Sequence, residues 1–242
     1  MAEAERPGER RGNARTAVVW DALQPLLEHA GSPLDVVDIG GGTGGFAVKV
    51  ARLGHRVTVV DPSPDALAAL ARRAQEVGVD VDGRQGDVSS LVDVVGLDSA
   101  DLVLCHGVLE VAGDPATALA TLRDVLRDGG TLSLLAAQRT AVVIARAMAG
   151  QFAEARELLD ETGQIGRTGR RFSRDELDAL VAAAGFTVTA AHGVRVFADL
   201  VPGALLDLEP GMTAALVELE RAVAERPEFT GLATQLHLVA VK

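Results

Sequence analysis

Asp35-Val36-Val37-Asp38-Ile39-Gly40-Gly41-Gly42-Thr43-Gly44-Gly45 is the stretch from which the fold can be read. Asp35–Ile39 is short, apolar and rich in β-branched residues, as a buried strand requires. Five of the next six residues are glycine. They mark a loop of bare backbone that a ligand can approach without side-chain obstruction. From Gly44 to Leu53 the apolar residues return at helical spacing, and Arg56–Val60 (RVTVV) is a second strand. Ser63-Pro64 supplies an N-cap followed by proline at the first helical position, opening a helix to Val77. The alternation continues: a weaker strand at Val79–Gln85, a fourth at Asp101–Cys105, a helix from Asp114-Pro115 to Arg127, and a fifth strand at Thr131–Ala136. Upstream, Ala14–Ala30 reads as a helix stopped by Gly31-Ser32-Pro33, and residues 1–12 read as a flexible N-terminal tail.

Short apolar strands alternating with amphipathic helices predict an α/β fold, a parallel sheet covered on both faces. The right-handed crossover rule makes a doubly wound sheet the simplest topology. The rhythm breaks at Gln138, and residues 138–172 read as a helical insertion over the carboxyl edge of the sheet. Ser173 with Glu176 fits a capping box. A sixth strand at Phe186–Ala190, a mostly helical stretch over Pro202–Arg226 and a last strand at Ala233–Val241 complete a single domain over residues 13–242.

Composition narrows the function. In 242 residues, 48% are hydrophobic and 24% charged, enough for a sizeable core. The net charge of −11 argues against a generally basic surface for coating nucleic acid and leaves room only for a local basic patch. One cysteine excludes a disulfide framework and a Cys-rich zinc site, and no metal is expected. No run of eighteen apolar residues predicts a membrane span, and the charged start MAEAERPGERRGNAR is no secretory signal, so a cytoplasmic protein is expected.

The glycine loop joins the first strand to the first helix of the alternation, where doubly wound sheets bind ligands. Gly40, Gly42 and Gly45 satisfy G-x-G-x-x-G, and Asp61 ends the second strand 21 residues after Gly40, where a ribose-binding acid is expected. Both NAD and S-adenosylmethionine carry an adenosine ribose, so both fit to this point. Asp38 favours the second: its carboxylate suits the cationic methionine end and would repel a pyrophosphate. The absence of tyrosine removes the Tyr-Lys chemistry of short-chain dehydrogenases, and the single cysteine disfavours zinc alcohol dehydrogenases.

The third reason is a resemblance. Residues 101–136 read DLVLCHGVLEVAGDPATALATLRDVLRDGGTLSLLA. With the D-x-G-G-G-T-G loop and the acid ending the second strand, this block is similar to the class I S-adenosylmethionine-dependent methyltransferases. The resemblance implies a Rossmann-like, mostly parallel sheet of about seven strands, the last antiparallel, with helices on both faces. Carried over position by position, it implies that Asp38, Gly40, Gly41 and Gly42 line the methionine and ribose, that Asp61 holds the ribose hydroxyls, and that Pro62 packs near adenine. Gly86, Asp87, Val88 and Ser89 would flank adenine, with Cys105 and His106 beside the transferring methyl. For Asp87 the plain alternative is a turn residue, for His106 a structural histidine, for Cys105 a core residue.

The likeness extends further. Gly12-Asn13-Ala14-Arg15 with Trp20, His106-Gly107-Val108-Leu109-Glu110 with Asp114-Pro115, Ala149-Gly150-Gln151-Phe152 and Gly193-Val194-Arg195-Val196-Phe197 resemble the bacterial tRNA 5-carboxymethoxyuridine methyltransferases. That implies esterification of a carboxylate on a modified wobble uridine of tRNA, with Arg15 reaching the carboxylate of the cofactor and the 138–172 insertion capping the substrate. A carboxylate acceptor is anionic at neutral pH and needs no general base. Arg195 is the candidate to orient it through two parallel hydrogen bonds, unless it is a surface ion pair. Arg167, Arg170, Arg171 and Arg174, with Arg6, Arg10, Arg11 and Arg15, could form a local positive surface or a solvated charge run. A small-molecule acceptor and a non-catalytic S-adenosylmethionine-binding protein remain as alternatives.

Overall fold

The computed structural model describes residues 7–159, 169–206, 209 and 211–242, with side chains described from Thr16 onward. The order of elements is α1 (Pro7–Glu28), β1 (Asp35–Ile39), α2 (Ala47–Arg52), β2 (Arg56–Asp61), α3 (Pro64–Val77), β3 (Asp82–Gln85), α4 (Leu91–Val95), β4 (Ala100–His106), α5 (Pro115–Val125) and β5 (Leu126–Ala137). There follow α6 (Arg139–Met148), α7 (Phe152–Leu159), α8 (Arg174–Ala183), β6 (Thr187–Val194), α9 (Gly203–Leu206), α10 (Met212–Val223), α11 (Pro227–Thr230) and β7 (Gln235–Val241).

The seven strands form one sheet in the order β3-β2-β1-β4-β5-β7-β6. β7 runs antiparallel to both of its neighbours, so the other six point the same way. The chain starts at the centre, winds outward through β2 and β3, then returns to β4 beside β1. That reversal leaves a crevice beyond the carboxyl ends of β1 and β4.

Strand parity sorts the side chains into two cores. Ile39, Val60, Cys105, Leu134 and Leu238 pack on one face against α4, α5 and α8. Val36, Val59, Leu102, Leu104 and Leu135 pack on the other, against α1, α2 and α3. The helix ends are fixed by side chains where the sequence predicts it. Ser63 Oγ accepts from the Ala66 N–H at 3.2 Å, Asp114 caps α5, and Ser173 with Glu176 forms the capping box of α8.

Several elements differ from the expectation: β5 starts at Leu126, five residues before Thr131, and β6 runs on past Ala190 to Val194. α1 begins at Pro7, inside the stretch read as a tail to residue 12. Apolar periodicity reports only the buried face of a helix, and the first turns here carry no apolar residue. α2 begins at Ala47 and not at Gly44, because Gly44 sits at φ 76°, in the left-handed region. The third strand starts only at Asp82; Val79 and Val81 before it pack on the core without pairing. The short α4 was not foreseen. The 202–226 stretch breaks at Gly211, φ 95°, into α9 and α10.

The segment after β6 is tied down by Glu220 of α10, which is fully buried. Its carboxylate accepts the N–H groups of Val196, Phe197 and Ala198 at 2.9, 2.8 and 2.7 Å. Three backbone donors satisfy the buried charge and hold residues 195–198 at the carboxyl edge of the sheet.

Candidate active site

Asp38 lies in β1 with its register partners Val59 and Leu104 on the same face. Asp61, two residues beyond Val59, therefore faces the same way. Both acids are buried. A Cβ added at Gly41 would lie 2.5 Å from Asp38 Oδ2, so the loop backbone runs directly over this carboxylate. Gly40 and Gly42 take φ of 69° and 55°, a conformation that an L side chain resists. Burial raises the Asp38 carboxyl to about 7, with the negative charge of Asp61 as the second cause. An acid held at that value lacks a counter-charge, and an arriving cation would ionise it.

Asp61 spans the loop from below. Its Oδ2 accepts the Gly42 N–H and its Oδ1 the Ser63 N–H, each at 2.9 Å. The carboxylate is thus held in a fixed orientation and keeps lone pairs for hydroxyl donors. Pro62 follows it on the exposed rim, and its carbonyl accepts from Gln85 Nε2 at 3.2 Å. Asp87 is exposed and engaged in its own turn. Its Oδ1 accepts from the Ser89 N–H at 2.9 Å, the Ser89 hydroxyl at 2.6 Å and the Ser90 N–H at 3.2 Å. The Ser89 hydroxyl is the leading reason why the Asp87 carboxyl lies below the usual range. The turn reading of Asp87 thus accounts for its observed bonds, while Val88 stands half-buried beside it.

His106 ends β4 on the same face as Asp38 and one register step beyond the Ile39–Cys105 pair, hence beside Gly40. Its ring meets Phe46 edge-on, 5.0 Å between centroids, and burial lowers its pKa to about 4. It is a neutral imidazole at physiological pH. Cys105 points to the opposite face, where it is buried in the core and its thiol is pushed far up by burial. Strand parity therefore removes Cys105 from the place beside the methyl that the resemblance implied for it.

Behind His106 lies a set of polar groups that sequence reasoning missed. His106 Nε2 is 2.8 Å from Ser133 Oγ, which is 2.8 Å from His237 Nε2. His237 Nδ1 is 3.2 Å from His192 Nδ1, and His192 Nε2 is 3.5 Å from Glu225 Oε1. Histidines within apolar strands were the available signal. Their pairing depends on a register joining β4, β5, β7 and β6, which no local pattern contains.

Arg195 follows β6 at the same edge of the sheet, at φ 62°. β6 lies three strand spacings from β4, about 14 Å. Its guanidinium pairs with Asp199 and donates to Gln235 Oε1 at 3.3 Å, while its buried Nε has no hydrogen-bond partner. The ion-pair reading of Arg195 is observed, and the orphaned Nε–H is a donor still to be satisfied. Arg15 lies on α1, its side chain outside those described, as are the side chains of Arg6, Arg10 and Arg11; Arg167 also lies outside the described residues. Arg170 donates to the Ala112 carbonyl at 3.2 Å and Arg174 pairs with Asp178 at 2.7 Å, so this part of the charge run is built into the fold.

The arrangement offers a bare backbone cradle, a fixed carboxylate for vicinal hydroxyls and a buried acid suited to a cation. A sulfonium nucleoside with an amino-acid tail has these three features; a dinucleotide pyrophosphate would meet Asp38 as a like charge. Comparison with known proteins agrees. Residues 37–134 match the family described as "Methyltransferase domain". The chain is 31% identical over 244 residues to the tRNA 5-carboxymethoxyuridine methyltransferase of Escherichia coli strain K12, spanning 97% of this chain and 90% of that protein. A ubiquinone biosynthesis O-methyltransferase of Xanthomonas axonopodis pv. citri is 34% identical over 136 residues, 53% of this chain and 56% of the relative. In fold, the chain resembles an S-adenosylmethionine-dependent methyltransferase from Mesorhizobium loti, with a TM-score of 0.64 at 21% identity over 95% of this chain and 100% of that one. The chain is therefore an S-adenosylmethionine-dependent methyltransferase of class I, and it belongs to the family of the tRNA 5-carboxymethoxyuridine methyltransferases.

Proposed function

We propose that the enzyme esterifies a carboxylate on a modified wobble uridine of tRNA. One observation carries this reading. Similarity to the tRNA enzyme runs through 97% of the chain, including β6, β7 and the 138–172 insertion, whereas similarity to the ubiquinone O-methyltransferase covers only 53%. This supports a shared acceptor, because in this reading those elements face it.

In this reading Asp61 receives the ribose hydroxyls and Asp38 meets the cationic end of the cofactor. Gly40, Gly41 and Gly42 let the backbone lie against it, and Arg15 reaches its carboxylate. Pro62, Asp87, Val88 and Ser89 border the adenine. When bound, S-adenosylmethionine supplies an electrophilic methyl group on a cationic sulfur. The acceptor oxygen is already anionic, so no residue has to remove a proton. Rate then comes from excluding water and aligning the reacting atoms, because opposite charges cancel in the transition state. Arg195 holds the acceptor carboxylate, exchanging Asp199 for it and using its free Nε–H. His106, neutral and wedged against Phe46, forms the wall beside the reacting atoms. The insertion closes over the acceptor.

The test is methyl transfer from labelled S-adenosylmethionine into an extract of cells lacking the enzyme, split into RNA and small-molecule fractions. The expected label is in tRNA and is released by mild alkali, as a methyl ester is. Label confined to small molecules, or an alkali-stable product, would overturn the reading.

A further inference from the structure

We propose that Ser133, His237, His192 and Glu225 are positioning residues that fix the tautomer of His106, so that its Nδ1 meets the acceptor with a lone pair and not with a proton.

The groups form one unbroken row on the α1 side of the sheet. His106 pairs with Leu135, Leu135 with His237, and His237 with His192, so the three rings stand on β4, β7 and β6 on one face, with β5 between the first two. Ser133, two residues before Leu135, points the same way and fills the gap between His106 and His237. Ser133 and His237 have no exposed surface, while the Glu225 side chain at the outer end is 79% exposed. The His192 and His237 rings lie 5.2 Å apart between centroids with their planes inclined by only 23°, as an in-plane Nδ1–H···Nδ1 bond requires.

Proton counting then leaves a single solution. All three rings are neutral at physiological pH, because burial lowers each pKa. A neutral imidazole has one N–H, and a serine hydroxyl has one O–H. Glu225, a carboxylate in water, can only accept, so His192 donates from Nε2 and its Nδ1 is bare. His237 must therefore donate from Nδ1, leaving its Nε2 to accept. The Ser133 hydroxyl supplies that hydrogen, and its oxygen accepts from His106 Nε2–H. Each donor points outward toward Glu225, and Nδ1 of His106 is left without a proton. The second nitrogen of a histidine is set by the bond that the first one makes, and here the setting is transmitted across four strands.

This has a consequence for specificity. The acceptor group against His106 Nδ1 has to be an O–H or N–H. Resting on the tRNA reading above, that place falls to a sugar hydroxyl or a base N–H of the nucleoside. The carboxylate oxygen that attacks the methyl passes beside the ring, has no hydrogen to give to Nδ1, and takes its hydrogen bonds from Arg195.

The experiment is nitrogen-15 NMR of the histidine rings in the free, full-length enzyme at pH 7.5. The expected pattern is Nε2–H for His106, Nδ1–H for His237 and Nε2–H for His192. Glu225→Lys places an ammonium, which can only donate, at the outer end. It should reverse all three rings, giving His106 an Nδ1–H. Ser133→Ala should cut the row and return His106 to a mixture of tautomers while His192 stays Nε2–H. A wild-type pattern opposite to the expected one, or a His106 tautomer unchanged in both variants, would overturn the proposal. Should Ser133→Ala fail to fold, the Glu225→Lys spectrum decides alone, since that side chain lies at the surface. No acceptor is needed for the measurement, so it stands or falls separately from the tRNA assignment.

Discussion

The two halves of the sheet treat buried polar groups in opposite ways. On the β1–β2 side, Asp38 and Asp61 are set against bare loop backbone, and each is placed by residues within about twenty positions of it. On the β5–β7–β6 side, the row of polar groups behind His106 meets through strands distant in sequence: His192 and His237 are separated by 45 positions, and Ser133 and His237 by 104. The first half is a cradle shaped by a contiguous motif. The second is a scaffold whose chemistry exists only after the sheet is assembled. The physical lesson is that a cofactor common to many enzymes can be held by local geometry, while the surface facing the acceptor is free to be rebuilt from long-range pairings.

The comparison can be broken at its first half by Asp61→Ala. The Gly42 and Ser63 N–H groups lose their acceptor and the ribose hydroxyls lose theirs, and affinity for S-adenosylmethionine should fall roughly a hundredfold, about 3 kcal/mol, in calorimetry. Binding within a few-fold of wild type would show that the carboxylate is structural only.

The second half is tested next. Glu220→Ala orphans three buried N–H groups and should lower unfolding stability by about 2–4 kcal/mol in denaturant titration. If the halves are independent, cofactor affinity in the folded variant stays near wild type. Arg195→Ala should raise the KM for the acceptor about tenfold or more, the scale of one lost charge-assisted hydrogen-bond pair, with cofactor affinity unchanged. A change in cofactor affinity would place Arg195 in the wrong half.

Asp38 gives a pH test of the first half. Its folded pKa of about 7 lies above the 3.8 of an unperturbed aspartate, so the fold binds its proton more tightly than the unfolded chain does. The stabilisation is fully present below pH 4 and is lost as pH rises through about 7. Asp38→Asn should therefore melt with wild type near pH 4 and about 3–6 °C above it at pH 8, the equivalent of 1–2 kcal/mol. Cofactor affinity has the opposite slope, because a cation favours the ionised acid. It should rise about tenfold from pH 6 to pH 8 in wild type and stay flat in the variant. The smallest effect is expected at Asp87→Asn. The amide oxygen can still accept from Ser89 and Ser90, and affinity should change by less than about threefold, within 0.7 kcal/mol.

Much of the first half was legible in the chain. The Asp35–Ile39 strand, the Ser63-Pro64 start of α3 and the capping box of α8 sit where the residues place them. Each depends on neighbours a few positions apart. Asp38 and Asp61 were named from their charge, their spacing around the glycine loop and the family resemblance, and register then put them on one face. Cys105 and His106 are adjacent in sequence, yet parity sends one into the core and the other to the cleft. The break at Gly211 and the short α4 were hidden because a few apolar residues fit a helix, a turn or a loop equally well. For Asp87 and Arg195, the internal partners Ser89, Ser90 and Asp199 became visible only in three dimensions.

The amino-acid sequence by itself determined the alternation of strands and helices, the bare loop after β1 and the acids flanking it, since those follow from hydrophobic period, backbone freedom and charge within short windows. The tertiary structure alone decided which acids and rings share a face, that Glu220 anchors the segment carrying Arg195, and that three histidines join through Ser133 into one row. Those outcomes depend on strand register and on the packing of α10 against the segment after β6, contacts that span from about twenty to over a hundred positions and that no short window contains.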